Sequence, residues 1–330
     1  MKAVLCQQFG PPETLVYGDT PDPVADDGEV VVDVHACAAN FPDTLIIEGK
    51  YQFLTRPPFS PGSEVAGVIR AVGPNVSSFR PGERVIAVPG HGGLAEQLLT
   101  TPDKLISLPD GVAMDAAASL MVTYGTTHYA LRERAHLQPG ETLLVLGAAG
   151  GTGIAAIELG KLMGARVIAG ASTDEKLAIC QEHGADGTIN YSREDLKERI
   201  RELTDGQGAD VVYDPVGGEL AETALRGTAW NGRFLVIGFT AGIPKLPANL
   251  ALLKGCSVIG VFYGAMKERE PELHEALTSE LVGWLAEGRI SPRVSARYPL
   301  EQGIQALKDL AARRAVGKIV VLTEAGQQSP

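Results

Sequence analysis

Residues 142–153 read TLLVLGAAGGTG, and this stretch decides the fold of the 330-residue chain. The apolar run 142–146 predicts a buried strand, the pattern after residue 153 predicts a helix over 154–162, and a second strand is predicted over 166–170. A glycine-rich turn between a strand and a helix lets the backbone approach a pyrophosphate, which the N–H groups and the dipole of the helix start attract. The alternative is a glycine turn that binds nothing. Strand, turn and helix all stand where dinucleotide binding requires them, so we predict a dinucleotide site.

The patterns on either side of this turn predict two kinds of domain. Beyond residue 122, apolar strands alternate with helical patterns, which is typical of a parallel sheet covered on both faces. Before residue 121, short β-rich runs are separated by Pro-Gly turns at 61–62 and 81–82, which predicts a compact β domain. The further predicted strands are 188–190, 210–214, 234–237, 257–262 and 318–322, and the further predicted helices are 194–203, 219–226, 268–285 and 302–312.

The composition excludes several classes of protein. Apolar residues make up 45% of the chain and charged residues 21%, which is ordinary for a globular protein. The net charge of −11 repels nucleic-acid phosphates and anionic lipid surfaces, so we expect neither as a partner. No stretch approaches the roughly 18 apolar residues of a membrane span, and the first residues lack the pattern of a signal peptide. We therefore expect a cytoplasmic protein, whose four widely spaced cysteines are free thiols rather than a zinc or redox site.

The end of the second strand indicates which dinucleotide binds. A cofactor with a free ribose 2′-hydroxyl requires a carboxylate there, whereas residues 170–173 read GAST. Residues 172–175 form a predicted capping box that opens the next helix. Lys176 then lies in the first helical turn, where the helix dipole disfavours a cation unless an anion is held nearby. We predict that this anion is the 2′-phosphate of NADP(H); the alternative for Lys176 is a solvated surface lysine.

Six short motifs occur in an order that covers essentially the whole chain. They are NFPD at 40–43, GKY at 49–51, PGSEVAG at 61–67, AAGGTG at 148–153, INY at 189–191 and GKIV at 317–320. On these motifs the chain resembles the medium-chain dehydrogenase/reductases, and within them the zinc-free quinone oxidoreductase (zeta-crystallin-like) branch. The resemblance implies an α/β protein with a GroES-like β-rich catalytic domain (1–121 and 265–330) and a Rossmann domain with a doubly wound parallel sheet (122–264) that binds NADP(H).

The resemblance also bears on metal binding. The zinc-dependent branch needs a Cys/His/Cys set, and the corresponding positions here hold Asn40, Ser63 and, near the third position, Thr123. All three ligands of that set are absent, so we expect no metal. Without a Lewis acid the oxidation of an alcohol is disfavoured, whereas hydride transfer to an electrophilic acceptor needs less assistance. The expected activity is therefore NADPH-dependent reduction of a quinone.

The same resemblance implies where the site residues lie. Asn40 and Tyr51 are expected as catalytic residues beside the nicotinamide, residues 149–152 at the pyrophosphate, and Ser172, Lys176 and Tyr191 around the 2′-phosphate and ribose. For the aromatic residues, packing in the core is the alternative. The whole expected cofactor-binding set is Asn40, Tyr51, Thr126, Ala149, Gly150, Gly151, Thr152, Ser172, Lys176, Tyr191, Gly218, Phe239, Thr240, Ala241, Phe262, Tyr263, Gly264 and Lys318.

Two other functions stay open. A reductase of activated alkenes (an enone, alkenal or enoyl thioester) would use the same hydride but needs a proton donor at the α-carbon. An NADPH-binding, crystallin-like protein with little turnover is the second possibility, although the intact Asn40, Tyr51 and glycine turn favour an enzyme. A methyltransferase that uses S-adenosylmethionine also has a glycine turn, but it requires an acid at the end of the second strand, and it would leave the β-rich N-terminal domain unexplained.

The sequence also predicts a partner. Residues 257–262 read SVIGVF, with no charge and no proline, and they are the sixth strand of a predicted sheet of order 3-2-1-4-5-6, at its edge. Because a bare apolar edge invites pairing, we expect a homodimer joined through this strand. The alternative is that the segment 268–285 folds over it.

Overall fold

The computed structural model describes residues 1–52 and 55–328, which divide into two compact units. The first unit comprises Met1–Val122 and Leu281–Pro330, and the second unit comprises Thr123–Glu280. The sequence predicts the second boundary after residue 264 and residues 265–280 in the catalytic domain, whereas in the structure these residues lie in the second unit. The reason is packing within that unit, where Tyr263 contacts Gly125 and Glu280 pairs with Arg132.

The elements follow the chain in this order. The strands are β1 (Lys2–Leu5), β2 (Val16–Asp19), β3 (Val30–Ala39), β4 (Val65–Val72), β5 (Arg84–Ala87), β6 (Gln97–Thr100), β7 (Leu105–Ser107), β8 (Thr142–Val145), β9 (Arg166–Ala171), β10 (Gly187–Asn190), β11 (Ala209–Asp214), β12 (Thr228–Val236), β13 (Ser257–Gly260), β14 (Val294–Pro299) and β15 (Lys318–Leu322). The α-helices are α1 (Phe41–Ile47), α2 (Met114–Ala117), α3 (Thr126–His128), α4 (Gly151–Leu162), α5 (Asp174–Glu182), α6 (Leu196–Leu203), α7 (Gly218–Arg226), α8 (Ala248–Lys254), α9 (Tyr263–Arg269), α10 (Pro271–Ala286), α11 (Gly303–Ala311) and α12 (Glu324–Gln327). Short 3₁₀ helices occupy Pro12–Thr14, Pro102–Lys104 and Leu300–Gln302, and π-helical turns over Met121–Gly125 and Tyr129–Arg134 flank α3.

The second unit contains a six-stranded parallel sheet. Its order is β10-β9-β8-β11-β12-β13, and every neighbouring pair is parallel. This is the predicted order 3-2-1-4-5-6 of a doubly wound sheet, with β13 at an edge. Side chains such as Leu144, Ile168 and Phe234 are fully buried between this sheet and its helices, which is why these strands read as continuous apolar runs in the sequence. The predicted α/β fold class is confirmed.

The first unit is built around a sheet to which both ends of the chain contribute. Its order is β14-β15-β3-β4-β5-β7, and β6 also pairs with β3. The C-terminal strand β15 runs antiparallel to β3 and places Ile319 opposite Ala39. The pairing therefore brings Lys318, at the start of β15, to the end of β3, where Asn40 follows.

Two elements differ from the sequence prediction. The edge strand ends at Gly260 rather than at residue 262, because the chain turns into α9 at Tyr263. The single helix predicted over 268–285 is interrupted at Glu270, which adopts φ −133° and ψ 59°. Pro271 explains the break, because a proline disfavours the helical conformation of the residue before it. Among the described residues, no helix is both long and apolar enough to cross a membrane.

Candidate functional site

The turn between β8 and α4 has the geometry of a pyrophosphate cradle. Gly147 adopts a φ of 56°, in the left-handed region that favours glycine. Gly150 is the N-cap of α4, and a Cβ on Gly153 would lie 2.5 Å from the carbonyl oxygen of Gly147, so only glycine lets the helix pack this closely on the turn. Of the predicted pyrophosphate residues, Ala149 is buried, whereas the other three, residues 150–152, are partly exposed. The N–H groups at the start of α4 are therefore presented at the carboxyl edge of the sheet, where an anion binds.

Ser172, Lys176 and Tyr191 lie at the ends of two neighbouring strands. Ser172 follows β9 and Tyr191 follows β10, which pairs with it. The Lys176 Nζ lies 3.4 Å from the Ser172 Oγ, and the Tyr191 ring lies against Gly170, where a Cβ would be 3.5 Å from it. The capping box predicted over 172–175 does not form; instead Thr173 is the N-cap of α5 and its hydroxyl accepts the Lys176 N–H at 3.3 Å. The structure brings the three predicted residues together at the ends of β9 and β10; their contact with a 2′-phosphate stays a prediction.

The loop after β11 is shaped by Asp214, which the sequence analysis did not select. Its buried carboxylate accepts hydrogen bonds from the N–H groups of Val216 and Gly217, each at 2.9 Å. Burial raises the pKa of this carboxyl, and the two N–H groups oppose the increase. The turn holds Gly217 at φ 69° and Gly218 at φ 58°. An acid at a strand end followed by Pro-Val-Gly-Gly is a turn signal that could have identified this loop from the sequence.

This loop brings four of the predicted residues together. The Gly218 N–H donates to the carbonyl oxygen of Gly242 at 2.8 Å, and a Cβ on Gly218 would lie 3.2 Å from the Cβ of Ala241. Thr240 donates its N–H to the carbonyl oxygen of Pro215, the residue after Asp214, at 3.4 Å, and the side chain of Phe239, next to Thr240, is exposed. The structure therefore places Gly218 and residues 239–241 in one cluster at the carboxyl end of the sheet.

Residues 262–264 lie at the start of α9 and not in the continuation of the edge strand. Tyr263 is buried against Gly125, where a Cβ would lie 2.6 Å from the phenol oxygen, and its ring centroid is 5.8 Å from that of His274. Phe262 is exposed, and Gly264 is partly exposed. The geometry favours core packing over cofactor contact for Tyr263 and leaves Phe262 and Gly264 as candidates.

The helical segment 121–134 contacts the glycine turn through Thr127, another residue that the sequence analysis did not select. The Thr127 Oγ1 lies 2.8 Å from the Tyr213 hydroxyl and 3.5 Å from the carbonyl oxygen of Thr152. The predicted contact, Thr126, is the preceding residue and is partly exposed. The buried hydroxyl pair thus places Thr126 next to the turn that is expected to hold the pyrophosphate.

In the first unit, the side chain of Asn40 is buried and hydrogen-bonded through both of its polar atoms. Its Oδ1 accepts from the Lys318 Nζ at 2.5 Å, and its Nδ2 donates to the carbonyl oxygen of Ala38 at 3.2 Å and to the Glu64 Oε2 at 3.3 Å. An ammonium can only donate and a carbonyl oxygen can only accept, so these partners determine which way the amide points.

Glu64 and Lys318 form a buried ion pair, with 3.8 Å between the Glu64 Oε2 and the Lys318 Nζ. Glu64 also accepts the N–H groups of Met121 and Val122, the latter at 3.0 Å. Burial raises the pKa of Glu64 and lowers that of Lys318, and the opposite charge of each partner counteracts both shifts. Lys318, which the sequence analysis expected at the cofactor, is only 4% exposed. The structure assigns its ammonium to this cluster, and a contact with the cofactor stays a prediction.

Asp43 interacts with both of the residues predicted to be catalytic, Asn40 and Tyr51. Its Oδ2 accepts the Asn40 N–H at 2.7 Å, and burial raises the pKa of this carboxyl to about 6. Burial, together with the charge of Asp43, also raises the pKa of Tyr51, so the phenol keeps its proton at neutral pH. Tyr51 is partly buried, and the loop continues into residues 53–54, which lie outside the described residues.

The described part of the chain contains no group of three or more His, Cys, Asp or Glu side chains that could hold a metal ion. Ser63 is buried at one of the positions considered for a zinc ligand. The nearby Cys37 is also buried, and burial raises the pKa of its thiol well above the usual value, which disfavours the thiolate that a metal requires. Zinc independence stays a prediction.

Comparison with known proteins identifies relatives for both units. Residues 26–110 match the alcohol dehydrogenase GroES-like domain, and residues 151–279 match the zinc-binding dehydrogenase family. The chain is 38% identical over 327 residues to a quinone oxidoreductase-like protein 2 homolog of Nematostella vectensis, covering 98% of this chain and 89% of the relative. The crystal structure of a probable oxidoreductase from Mycobacterium abscessus is 39% identical with a TM-score of 0.89, and covers 98% of each chain. The structure of Escherichia coli quinone oxidoreductase complexed with NADPH is 28% identical with a TM-score of 0.91, and covers 98% of this chain and 100% of that one.

Proposed function

The chain belongs to the medium-chain dehydrogenase/reductase family, in its quinone oxidoreductase branch, and we propose that it is an NADPH-dependent enzyme that reduces a quinone without a metal. One observation carries the proposal. A pyrophosphate cradle lies beside a strand whose end is followed by Ser172 rather than by an acid, and there the Lys176 ammonium and the Ser172 hydroxyl lie 3.4 Å apart. The Escherichia coli quinone oxidoreductase that this chain resembles was solved with NADPH.

The residues present fit this cofactor. The close approach of Gly153 to Gly147 leaves no room for a side chain and lets the start of α4 meet a pyrophosphate. Lys176 supplies a positive charge for a 2′-phosphate, and Tyr191 offers a ring beside it. NADPH, when bound, supplies a hydride. The chain's own residues bind and orient the cofactor.

In the first unit, Asn40 and Tyr51 are the proposed catalytic residues. The hydrogen bonds from Lys318 and to Glu64 hold the Asn40 amide in one orientation, which is the kind of preorganisation that catalysis requires. Tyr51 keeps its phenolic proton at neutral pH, since its pKa is raised, and it is the proposed hydrogen-bond donor to the oxygen of a quinone. Transfer of a hydride to a quinone leaves a hydroquinone monoanion, which takes its one remaining proton from water, so this activity requires no further acid.

A screen of NADPH oxidation against quinones, alkenals, enones and enoyl thioesters tests the proposal. We expect quinones to give the highest turnover. A Gly153→Ala variant, in which the new Cβ meets the turn at 2.5 Å, is expected to lose NADPH binding. Gly283→Ala is the matched control, since no atom lies within 4 Å of the Cβ it adds. No oxidation of NADPH with any quinone would contradict the proposal.

A reductase of activated alkenes is the second candidate function, and Tyr51 is the observation that favours it. Reduction of an alkene requires a proton at the carbon next to the site of hydride addition. The partly buried Tyr51 phenol is protonated at neutral pH and can donate this proton; burial raises its pKa and so makes it a weaker acid than an exposed phenol. The same screen discriminates between the two activities, because only the alkene reaction depends on this proton.

We also propose that two copies of the chain pair through β13. Val258, in the middle of this strand, and Phe262, just after it, are 44% and 46% exposed, so the segment 268–285 leaves the edge accessible. Leu252 and Leu253 of the adjacent α8 are 78% and 65% exposed. A second copy related by a twofold axis would satisfy the open backbone groups of the edge without opposing any charges. Light scattering is expected to show a dimer, and Val258→Pro to weaken it; a monomer of the unmodified chain at micromolar concentration would contradict this.

A further inference from the structure

The end of β9 presents a conflict that charge alone does not resolve. Lys176 is suited to a 2′-phosphate, yet Asp174, the first residue of α5, places a carboxylate two residues after Ser172. An uncompensated carboxylate at this point would repel a phosphate and would offer the hydrogen-bond acceptor that a free 2′-hydroxyl prefers. The preference for NADPH therefore depends on what happens to the charge of Asp174.

Both oxygens of the Asp174 carboxylate are already engaged. Its Oδ1 accepts the Asn190 Nδ2 at 2.8 Å, and its Oδ2 lies 2.7 Å from the Arg193 Nη1. The Asn190 side chain, at the end of β10, is only 5% exposed. Its Oδ1 accepts the N–H of Ser192 at 3.2 Å, so its Nδ2 must face Asp174. A buried amide thus holds the carboxylate in place while the guanidinium compensates its charge.

We propose that Arg193 is a determinant of cofactor specificity that acts through Asp174: it neutralises this acid near the end of β9, so that the site selects a 2′-phosphate over a 2′-hydroxyl. The inference rests on the proposed function only in taking NADPH as the cofactor. Arg193 lies in the connection between β10 and α6, whereas Ser172 follows β9 and Lys176 lies in the first turn of α5. Asp174, Glu175, Lys176 and Arg193 together carry no net charge, and without Arg193 the remaining three side chains carry a net negative charge.

Binding of nucleotide fragments to the full chain tests this without turnover. The ratio of the Kd for 5′-AMP to the Kd for 2′,5′-ADP measures selection of the 2′-phosphate, and NADH and NADPH give the same comparison for the whole cofactor. Arg193→Met, Asp174→Asn and the double variant are compared with the unmodified chain. Arg201→Met is the matched control, because Arg201 has the same side-chain exposure of 64% and pairs with Glu198 at 2.9 Å on α6.

We expect Arg193→Met to lower the ratio about tenfold, since it exposes a like charge to the phosphate at short range. The double variant, which has no carboxylate to neutralise, is expected to regain the ratio of the unmodified chain. Asp174→Asn alone should keep or increase it, and Arg201→Met should leave it unchanged. An unchanged ratio in Arg193→Met would overturn the inference, as would an equal loss in the single and double variants, which would make Arg193 a direct phosphate ligand. If the unmodified chain does not prefer 2′,5′-ADP, the cofactor assignment itself fails, and the inference fails with it.

Discussion

Replacement of Lys318 by methionine tests whether the buried cluster of the first unit stabilises the fold as an ion pair. The change keeps the length of the side chain but removes the ammonium, which lies 3.8 Å from the Glu64 carboxylate and donates to Asn40 at 2.5 Å. Glu64 is fully buried, so its charge would then have no cation beside it. Breaking a buried pair from one side costs about 3–5 kcal/mol, which is a large part of a typical total stability of about 5–15 kcal/mol.

Urea unfolding at neutral pH, followed by circular dichroism, measures this cost. Hydrogen exchange of the amides in β3 and β15 shows whether the loss of stability is concentrated where Lys318, at the start of β15, contacts Asn40 at the end of β3. The double variant Lys318→Met/Glu64→Gln removes the uncompensated charge, so we expect it to cost at least about 2 kcal/mol less than the sum of the single variants. Lys161→Met is the control, because Lys161 forms a partly exposed pair with Asp186 at 2.8 Å and such pairs contribute about 0–1 kcal/mol. Two results would refute the reasoning. One is a Lys318→Met variant as stable as Lys161→Met, and the other is a double variant whose loss of stability equals the sum of the losses in the two single variants.

Four further predictions follow from the same sites. Lys176→Ala should weaken NADPH binding about tenfold or more, because a charge-assisted contact is lost, and leave NADH binding unchanged; fluorescence titrations in which NADH binds as tightly as NADPH to the unmodified chain would disprove it. Exhaustive chelation should leave turnover intact, and elemental analysis showing one tightly bound zinc per chain, with activity lost on its removal, would contradict this. Tyr51→Phe should reduce turnover with enones roughly 10²-fold and turnover with quinones much less, whereas equal small losses would limit Tyr51 to positioning the cofactor. Burial raises the pKa of Asp43 to about 6, so the protonated carboxyl contributes stability at acidic pH that is lost as the pH rises through that value. The free energy of unfolding of the unmodified chain, measured relative to that of Asp43→Asn at two pH values, should therefore fall as the pH increases. A rise in this relative free energy would contradict the assignment.

Part of the candidate site could be predicted from the sequence because it depends on neighbouring residues. Gly153 and Gly147 are required by a backbone turn that spans seven residues, and Ser172 follows the strand that the same βαβ unit provides. Tyr191 could be placed beside them because parallel strands end at one edge of the sheet. The end of the edge strand was not predicted correctly, because the pattern does not show where β13 ends and α9 begins; the role of Tyr263 at the cofactor stays a prediction.

The sequence by itself determined the alternation of strands and helices and the position of the glycine turn, since the period of the apolar residues and the freedom of glycine are local properties. The strand order followed from the general rule for doubly wound sheets. Only the tertiary structure decided which charges meet. Lys318 reaches Glu64, which precedes β4, because β15 and β4 both pair with β3, and Arg193 reaches Asp174 because β10 pairs with β9. Neither pair leaves a trace in the hydropathy pattern, because a charged side chain has the same hydropathy whether water or an opposite charge compensates it.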